Sequence, residues 1–164
     1  MVYNEVETAS RDELHELQTE RLQETVERVY ENVPWYRDHF EDAGVTPADV
    51  DDIDDLSSLP FTTKENIRDN YPDGLFAVPH EDLRRIHASS GTTGKPKIVA
   101  YTEDDLGVWH EVMARSLYAA GVREGDMVQN GYGYGLFTGG LGFHDGVEEL
   151  GAAVIPTGGG NTAR

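Results

Sequence analysis

At 164 residues the chain is long enough to bury a core of its own. It carries 31 acids against 13 bases, a net charge of −18, yet 38% of its residues are hydrophobic, so the acids clothe a folded surface and exclude nucleic acid and anionic membrane as partners. The absence of cysteine excludes a disulfide framework, a thiolate zinc site and a thioester carried by this stretch.

The opening residues Met1-Val2-Tyr3-Asn4-Glu5 are acidic and poor in apolar side chains, unlike a signal peptide, and no run approaches transmembrane length. The cytoplasm is the expected location. Ser10-Arg11-Asp12-Glu13 forms a capping box, after which Leu14, Leu17, Leu22, Val26, Val29 and Val33 recur at near-helical spacing until Pro34. A shorter helix carrying Tyr36, Phe40 and Ala43 should end at Gly44. The two helices predict a hairpin that packs on something else. Residues 49–55 hold five acids; they read as a solvated loop, because the spacing lacks the central glycine and terminal glutamate of a calcium loop, and no metal ligand is expected. Thr62-Thr63-Lys64-Glu65 predicts a second capping box and a short helix ending near Tyr71-Pro72.

Arg85-Ile86-His87-Ala88 and Ile98-Val99-Ala100-Tyr101 read as strands, joined by Ser89-Ser90-Gly91-Thr92-Thr93-Gly94-Lys95-Pro96-Lys97. Hydroxyls, glycines and ammonium groups packed so densely can converge on a polyanion, so the loop reads as a phosphate site. It is not a Walker A loop: Ser89 stands where the first glycine belongs, and Pro96 follows the lysine. Between residues 84 and 102 the charges are Arg84, Arg85, Lys95 and Lys97, with no carboxylate. Either the arginines pair with Glu81 and Asp82 next door or they add to the cationic field; the lysines have no such neighbours. His87, at a strand position, is expected to be a packed, hydrogen-bonded side chain.

Thr102 caps the next predicted helix, whose core face carries Leu106, Trp109, Met113, Leu117 and Ala120. Strands are predicted over residues 126–130 and 152–155, with a helix over about 141–150 between them, and the alternation predicts part of a parallel α/β sheet. Residues 131–143 carry no charge, and six glycines there are interleaved with Tyr132, Tyr134 and Phe137. Such a stretch at the carboxyl end of a strand is either a site for a planar apolar molecule or a turn whose aromatics plug the core. His144 stands at its edge.

The nine residues Ser89 to Lys97 match the phosphate-binding motif of the adenylate-forming superfamily of acyl- and aryl-CoA ligases. The flanking Arg85-Ile86-His87-Ala88, Tyr132-Gly133-Tyr134-Gly135-Leu136-Phe137-Thr138-Gly139-Gly140 and Gly159-Gly160-Asn161-Thr162 resemble the phenylacetate-CoA ligase branch, from about the first helix onward. The resemblance implies an N-terminal helical region over 1–60, which either packs on its own domain or contributes to a homodimer contact, then part of the α/β AMP-binding domain over 61–164, with the C-terminal domain absent. It implies a ligase of phenylacetate catabolism that activates an aryl acid with MgATP to an acyl-adenylate and transfers it to CoA. Ser89, Ser90, Gly91, Thr92, Thr93, Gly94, Lys95 and Lys97 would bind the ATP phosphates, and Tyr132, Tyr134, Phe137, Gly139 and Gly140 the aryl acid. It places the magnesium ligand and catalytic lysine beyond Arg164, so no catalytic residue is expected here and the stretch alone should be inactive. Coenzyme F390 synthetases, which adenylate a flavin-like cofactor, resemble the same branch, and a non-catalytic anion-binding domain is the rival of another class. Two of the three lysines, Lys95 and Lys97, lie in the loop. With so acidic a surface, that fits a salt-loving host, where a Debye length of about 3 Å at 1 M leaves only local charge to act; an ordinary acidic protein is the alternative.

Overall fold

A computed structural model describes residues 2–89 and 96–160. The chain divides into two compact units, Val2–His80 and one that begins at Glu81. Residues 61–80 therefore group with the preceding helices.

In the first unit, α1 (Arg11–Asn32) starts on the expected capping box: the Ser10 hydroxyl accepts from Glu13 N–H, and the Glu13 carboxylate accepts from Ser10 N–H. Such a cap contributes about 1 kcal/mol. No basic residue lies in the last turn of α1, and Arg37 of α2 (Pro34–Asp42) supplies the missing donors, bonding the Tyr30 and Glu31 carbonyls at 3.1 and 2.7 Å. Gly44 then takes φ +72°, a left-handed value that glycine adopts without strain. The core of this unit is Val26, Phe40 and Val50, with Leu22, Val29, Tyr30, Tyr36 and Leu59 packed against it.

The acidic run proves to be structured. Asp49 caps back onto Thr46 and Asp55 onto Asp52 across two 3-10 turns, Pro47–Asp49 and Ile53–Ser58. Those turns are tied to α1 by Gln23 Nε2, which donates to the Val50 carbonyl at 3.0 Å, and by Ile53 N–H, which donates to Thr19 at 3.1 Å. The second predicted capping box is displaced by one residue. Thr63 caps α3 (Lys64–Asp69) in exchange with Asn66, whose amide oxygen accepts from Thr63 N–H at 2.7 Å, while Thr62 turns to the Tyr36 hydroxyl at 3.2 Å.

In the second unit, β1 (Arg85–Ala88) pairs antiparallel with β2 (Ile98–Tyr101), His87 opposite Val99. Thr102 caps α4 (Glu103–Ala119) in a box with Asp105. β3 (Met127–Gln129) and β4 (Ala153–Ile155) run parallel, Val128 opposite Val154, with α5 (Gly139–Glu149) between them in sequence. Among the described residues β2 pairs with β1 and not with β3, so the predicted parallel sheet is confined to β3 and β4. Side chains alternate across these strands: Val128 and Val154 face inward, whereas Met127 is 79% exposed. Ala120 also departs from expectation; it is the exposed C-cap of α4, and the buried small residue is Ala114.

The helices α4 and α5 pack closely because α5 presents glycine to α4. A Cβ on Gly142 would lie 2.7 Å from the Trp109 ring, and one on Gly146 would overlap the Met113 side chain. Fully buried Ala114 and Val147 complete the seam. Among the described residues no helix is long and apolar enough to cross a membrane.

Candidate functional site

The nine-residue loop springs from the open end of the β1–β2 ribbon. Beyond the Ala88–Ile98 pair, Ser89 N–H donates to the Lys97 carbonyl at 3.0 Å, and Lys97 N–H donates to Ser89 Oγ at 3.0 Å, so the two ends of the motif are clasped. The clasp leaves the Ser89 O–H free of that contact as a donor. Ser90, Gly91, Thr92, Thr93, Gly94 and Lys95 lie outside the described residues.

The charges at the base of the loop differ from expectation. Arg85 pairs with Asp145 of α5 at 2.5 Å and lies 5.8 Å from the centre of the Trp109 ring, and Arg84 pairs with Glu103 at 3.7 Å. Glu81 offers Arg84 only its backbone carbonyl, at 3.1 Å. Helices α4 and α5 thus supply the carboxylates, not the adjacent Glu81 and Asp82 of the turn His80–Asp82. Both arginines are thus paired with carboxylates among the described residues. His110 Nε2 also approaches Asp145, at 3.3 Å, but off the bond direction, so this buried nitrogen has an ionic neighbour without a hydrogen bond.

The uncharged stretch emerges from β3 and is organised by Asn130, a residue the sequence reading passed over. Asn130 is 6% exposed. Its amide nitrogen donates to the Tyr134 hydroxyl at 2.9 Å and to the Gly140 carbonyl at 2.8 Å, while its amide oxygen accepts from Tyr132 N–H at 3.0 Å. The Tyr134 hydroxyl continues to His144 Nδ1 at 3.1 Å, and His144 Nε2 to Glu148 at 3.3 Å. The signal for this hub was present as Asn-Gly at a strand end, a dipeptide that marks a turn.

Around that hub Tyr132 is 48% exposed and Phe137 52%, so neither ring plugs the core. Tyr134 is exposed as well. Gly139 and Gly140 begin α5, where their role is close packing: a Cβ on Gly140 would come within 3.1 Å of Tyr134 Cα, and one on Gly139 would strike the Tyr132 ring. A glycine at 140 thus lets the helix start press on the aromatic segment.

The two halves of the site meet at the Leu136 carbonyl. It accepts from Ala88 N–H at 2.9 Å and from His87 Nδ1 at 2.9 Å. The strand that enters the phosphate-type loop is thereby bonded to the segment that bears the aromatics.

A separate open depression of about 530 Å³ lies over β2 and α4, walled by Tyr101, Val108, Trp109 and Val112. Burial, with Asp105 adding its charge, pushes the Tyr101 hydroxyl above its ordinary value. In the helical unit, His15, Asp52 and Asp54 bring ligand-type atoms within 4.8 Å of one another. There the Asp52 carboxylate is already engaged, bonding His15 Nε2 at 3.1 Å and capping Asp54 N–H at 2.9 Å.

Comparison with known proteins sets this geometry in context. No family model matches the chain. It is 56% identical over 165 residues to phenylacetate-coenzyme A ligase of Thermus thermophilus, covering 100% of this chain and 37% of that protein. It is 57% identical over 159 residues to the protein of the same name from Escherichia coli, covering 97% and 36%. The chain spans a little over a third of the length of these curated relatives. Among solved structures, 2-hydroxyisobutyryl-CoA ligase, with 2-HIB-AMP and CoA bound in the thioesterification state, superposes with a TM-score of 0.87 at 28% identity, covering 95% of this chain and 34% of that one. An open conformation of that ligase gives 0.86 at 26% identity.

Proposed function

We propose, from homology to the phenylacetate-coenzyme A ligases along its whole length, that the chain is the ATP-phosphate and aryl-acid binding portion of an AMP-forming acid–thiol ligase. In the first half-reaction the carboxylate of an aryl acid such as phenylacetate attacks the α-phosphorus of ATP, the bond to the bridging oxygen breaks, and pyrophosphate leaves. In the second the CoA thiol attacks the acyl carbon of the adenylate, loses its proton and expels AMP.

The single observation that carries this reading beyond homology is the Leu136 carbonyl, hydrogen-bonded to the strand that opens the glycine-hydroxyl loop and set in the segment of half-exposed aromatics. A phosphate site and a flat apolar surface built on one carbonyl suit a reaction that joins an aryl carboxylate to a nucleotide. In this reading Gly91, Thr92, Thr93 and Gly94 wrap the β- and γ-phosphates, Ser89, Ser90 and Lys97 add donors, and Lys95 occupies the motif's variable position. Tyr132 and Phe137 wall the ring of the acid, with Tyr134 anchored behind them; Gly139 and Gly140 bring α5 up to that wall. Charge-assisted bonds from the loop to the phosphates are each worth about 1.5–3 kcal/mol as charge develops on the leaving group.

In this reading magnesium comes with the nucleotide, and its protein ligand lies in the part of the enzyme that this chain does not span. No carboxylate lies between residues 84 and 102, and Asp145 and Glu103, which reach the base of the loop, are held by arginines, so the described residues at the base of the loop do not fit a magnesium site. The helical region through residue 60 and the AMP-binding part from 61 are proposed as separate functional parts, the former also as a homodimer surface. The setting is the cytoplasm of a salt-adapted cell.

Phenylacetate-dependent ATP–pyrophosphate exchange by the full-length enzyme tests the reading. Lys97→Ala and Thr92→Ala should each depress exchange by roughly ten- to a hundredfold, the equivalent of one charge-assisted bond. Unchanged exchange in both would remove the loop from the mechanism.

A further inference from the structure

His87 is packed and hydrogen-bonded, yet its surroundings ask for more than packing. The side chain is 1% exposed and lies edge-on to the rings of Tyr101 and Trp109, with centroids 5.9 and 5.4 Å away. One ring nitrogen, Nε2, is buried with no hydrogen-bond partner. An orphaned polar atom of that kind costs about 1–3 kcal/mol, so a phenylalanine would fill the same aromatic box at lower cost if filling were the whole role. The other nitrogen, Nδ1, lies 2.9 Å from the Leu136 carbonyl oxygen. A carbonyl only accepts, so Nδ1 carries the proton and donates.

This bond is one of a pair. Ala88 N–H reaches the same oxygen at 2.9 Å, so two successive residues of β1 grip one carbonyl of the aromatic segment. The next residue, Ser89, is the first of the loop and is clasped to Lys97. On the far side, Leu136 adjoins Phe137 and is two residues from Tyr134, whose hydroxyl is fixed by Asn130. The histidine is therefore the one side chain among the described residues of β1 that joins the two proposed binding surfaces directly.

We propose that His87 is a positioning residue for adenylation: through its Nδ1–H it locks the acid-binding segment in register with the phosphate-binding loop. The inference rests on the function proposed above. Neither substrate touches His87. What the histidine controls is the relative placement of two surfaces, and a placement error of about 1 Å can cost on the order of a hundredfold in rate while each substrate still binds. Its loss therefore falls on kcat more than on either KM.

The test compares His87→Phe, which keeps an aromatic ring and removes the donor, with His87→Asn, whose side-chain amide nitrogen stands near the Nδ1 position and can donate to the same carbonyl. In the full-length enzyme, kcat and both KM values for ATP–pyrophosphate exchange are measured with phenylacetate, together with the thermal midpoint and amide hydrogen exchange over residues 131–138. The phenylalanine variant should keep its thermal midpoint, lose about ten- to a hundredfold in kcat with both KM values nearly unchanged, and exchange faster over residues 131–138. The asparagine variant should recover most of both losses. Full activity in the phenylalanine variant overturns the proposal, as does equal impairment of the two variants in step with lost stability. If the unsubstituted enzyme shows no exchange with any aryl acid, the functional reading falls and positioning for adenylation falls with it; hydrogen exchange then decides the tether alone, and protection that is equal in the phenylalanine variant removes that too.

Discussion

Truncating Phe137 to alanine in the full-length enzyme sets a wall of the acid site against a member of the core. The ring is 52% exposed, so about half of its surface is already in water. Truncation of a fully buried phenylalanine costs about 3–5 kcal/mol, and a half-buried one should cost roughly half of that or less. Covering one face of an aromatic substrate with such a ring is worth about 1.5–3 kcal/mol, which corresponds to a rise of roughly ten- to a hundredfold in KM for the acid. KM for ATP should stay near its original value, because Phe137 lies in the segment attached to the loop and not in the loop itself. Steady-state exchange kinetics with each substrate varied in turn, and one thermal melt, supply all three quantities. A loss of several kcal/mol in stability with an unchanged KM for the acid would refute the assignment. It would mean that the exposed face of the ring is bare surface and its buried face is all that matters.

Two glycine substitutions on facing helices should move stability in opposite directions. Gly107 on α4 is exposed and has open space where a Cβ would go, so Gly107→Ala gains about 0.8–1 kcal/mol of helix propensity; at Gly146 on α5 a Cβ would sit 3.0 Å from the Met113 carbonyl carbon and 3.2 Å from Ala114 N, so Gly146→Ala should lose about 1–3 kcal/mol despite the same propensity gain. Urea midpoints read both, and a stabilising Gly146→Ala would mean that α4 and α5 are not in contact there. Glu13 and Asp49 both titrate below their ordinary range, Glu13 chiefly through Ser10 N–H and Asp49 chiefly through the Thr46 hydroxyl. A depressed carboxylate contributes stability that is present above its ordinary pKa and lost as pH falls through the lowered one, and carboxyl NMR titration should show Thr46→Ala raising Asp49 and Ser10→Ala raising Glu13, whereas unmoved carboxyls would remove the caps as the cause. With 31 carboxylates against 13 bases, the thermal midpoint should climb from low to molar KCl as self-repulsion is screened; an unmoved midpoint would leave the acidic surface without a role in salt adaptation.

Features held within four residues were legible. The capping box at Ser10, the cap at Thr102, the glycine stop at Gly44 and both strands flanking the loop stand where local chemistry puts them. The box at Thr63 slipped by one residue because two threonines compete for the cap and the pattern expects glutamate at the third helical position; Asn66 serves equally, since its amide oxygen accepts the same N–H. Ala120 was misplaced for a related reason. A spacing of three or four continues a helical face on paper, but the chain leaves α4 at that residue.

Partners set by folding were not legible, and they decide what the site can do. Arg85 finds Asp145, 60 residues away, so a cationic field counted from sequence overstates the charge available to an anion. The glycines show the same limit from the other side. At Gly139 and Gly140 the space that their missing Cβ atoms leave is taken up by Tyr132 and by the backbone of residues 133 and 134, partners that no local pattern names. Asn130 and His87 sharpen the point, since each is buried and polar and each spends side-chain hydrogen bonds on groups between residues 132 and 140. Residues whose types suit a ligand are one class; the contacts by which His87 ties β1 to the aromatic segment and Asn130 braces that segment are another. A sequence pattern reports the former because chemistry fixes the residue types. The latter answer to geometry alone, which is why exchange of His87 for a ring without a donor is the sharper probe of how the two surfaces were brought together.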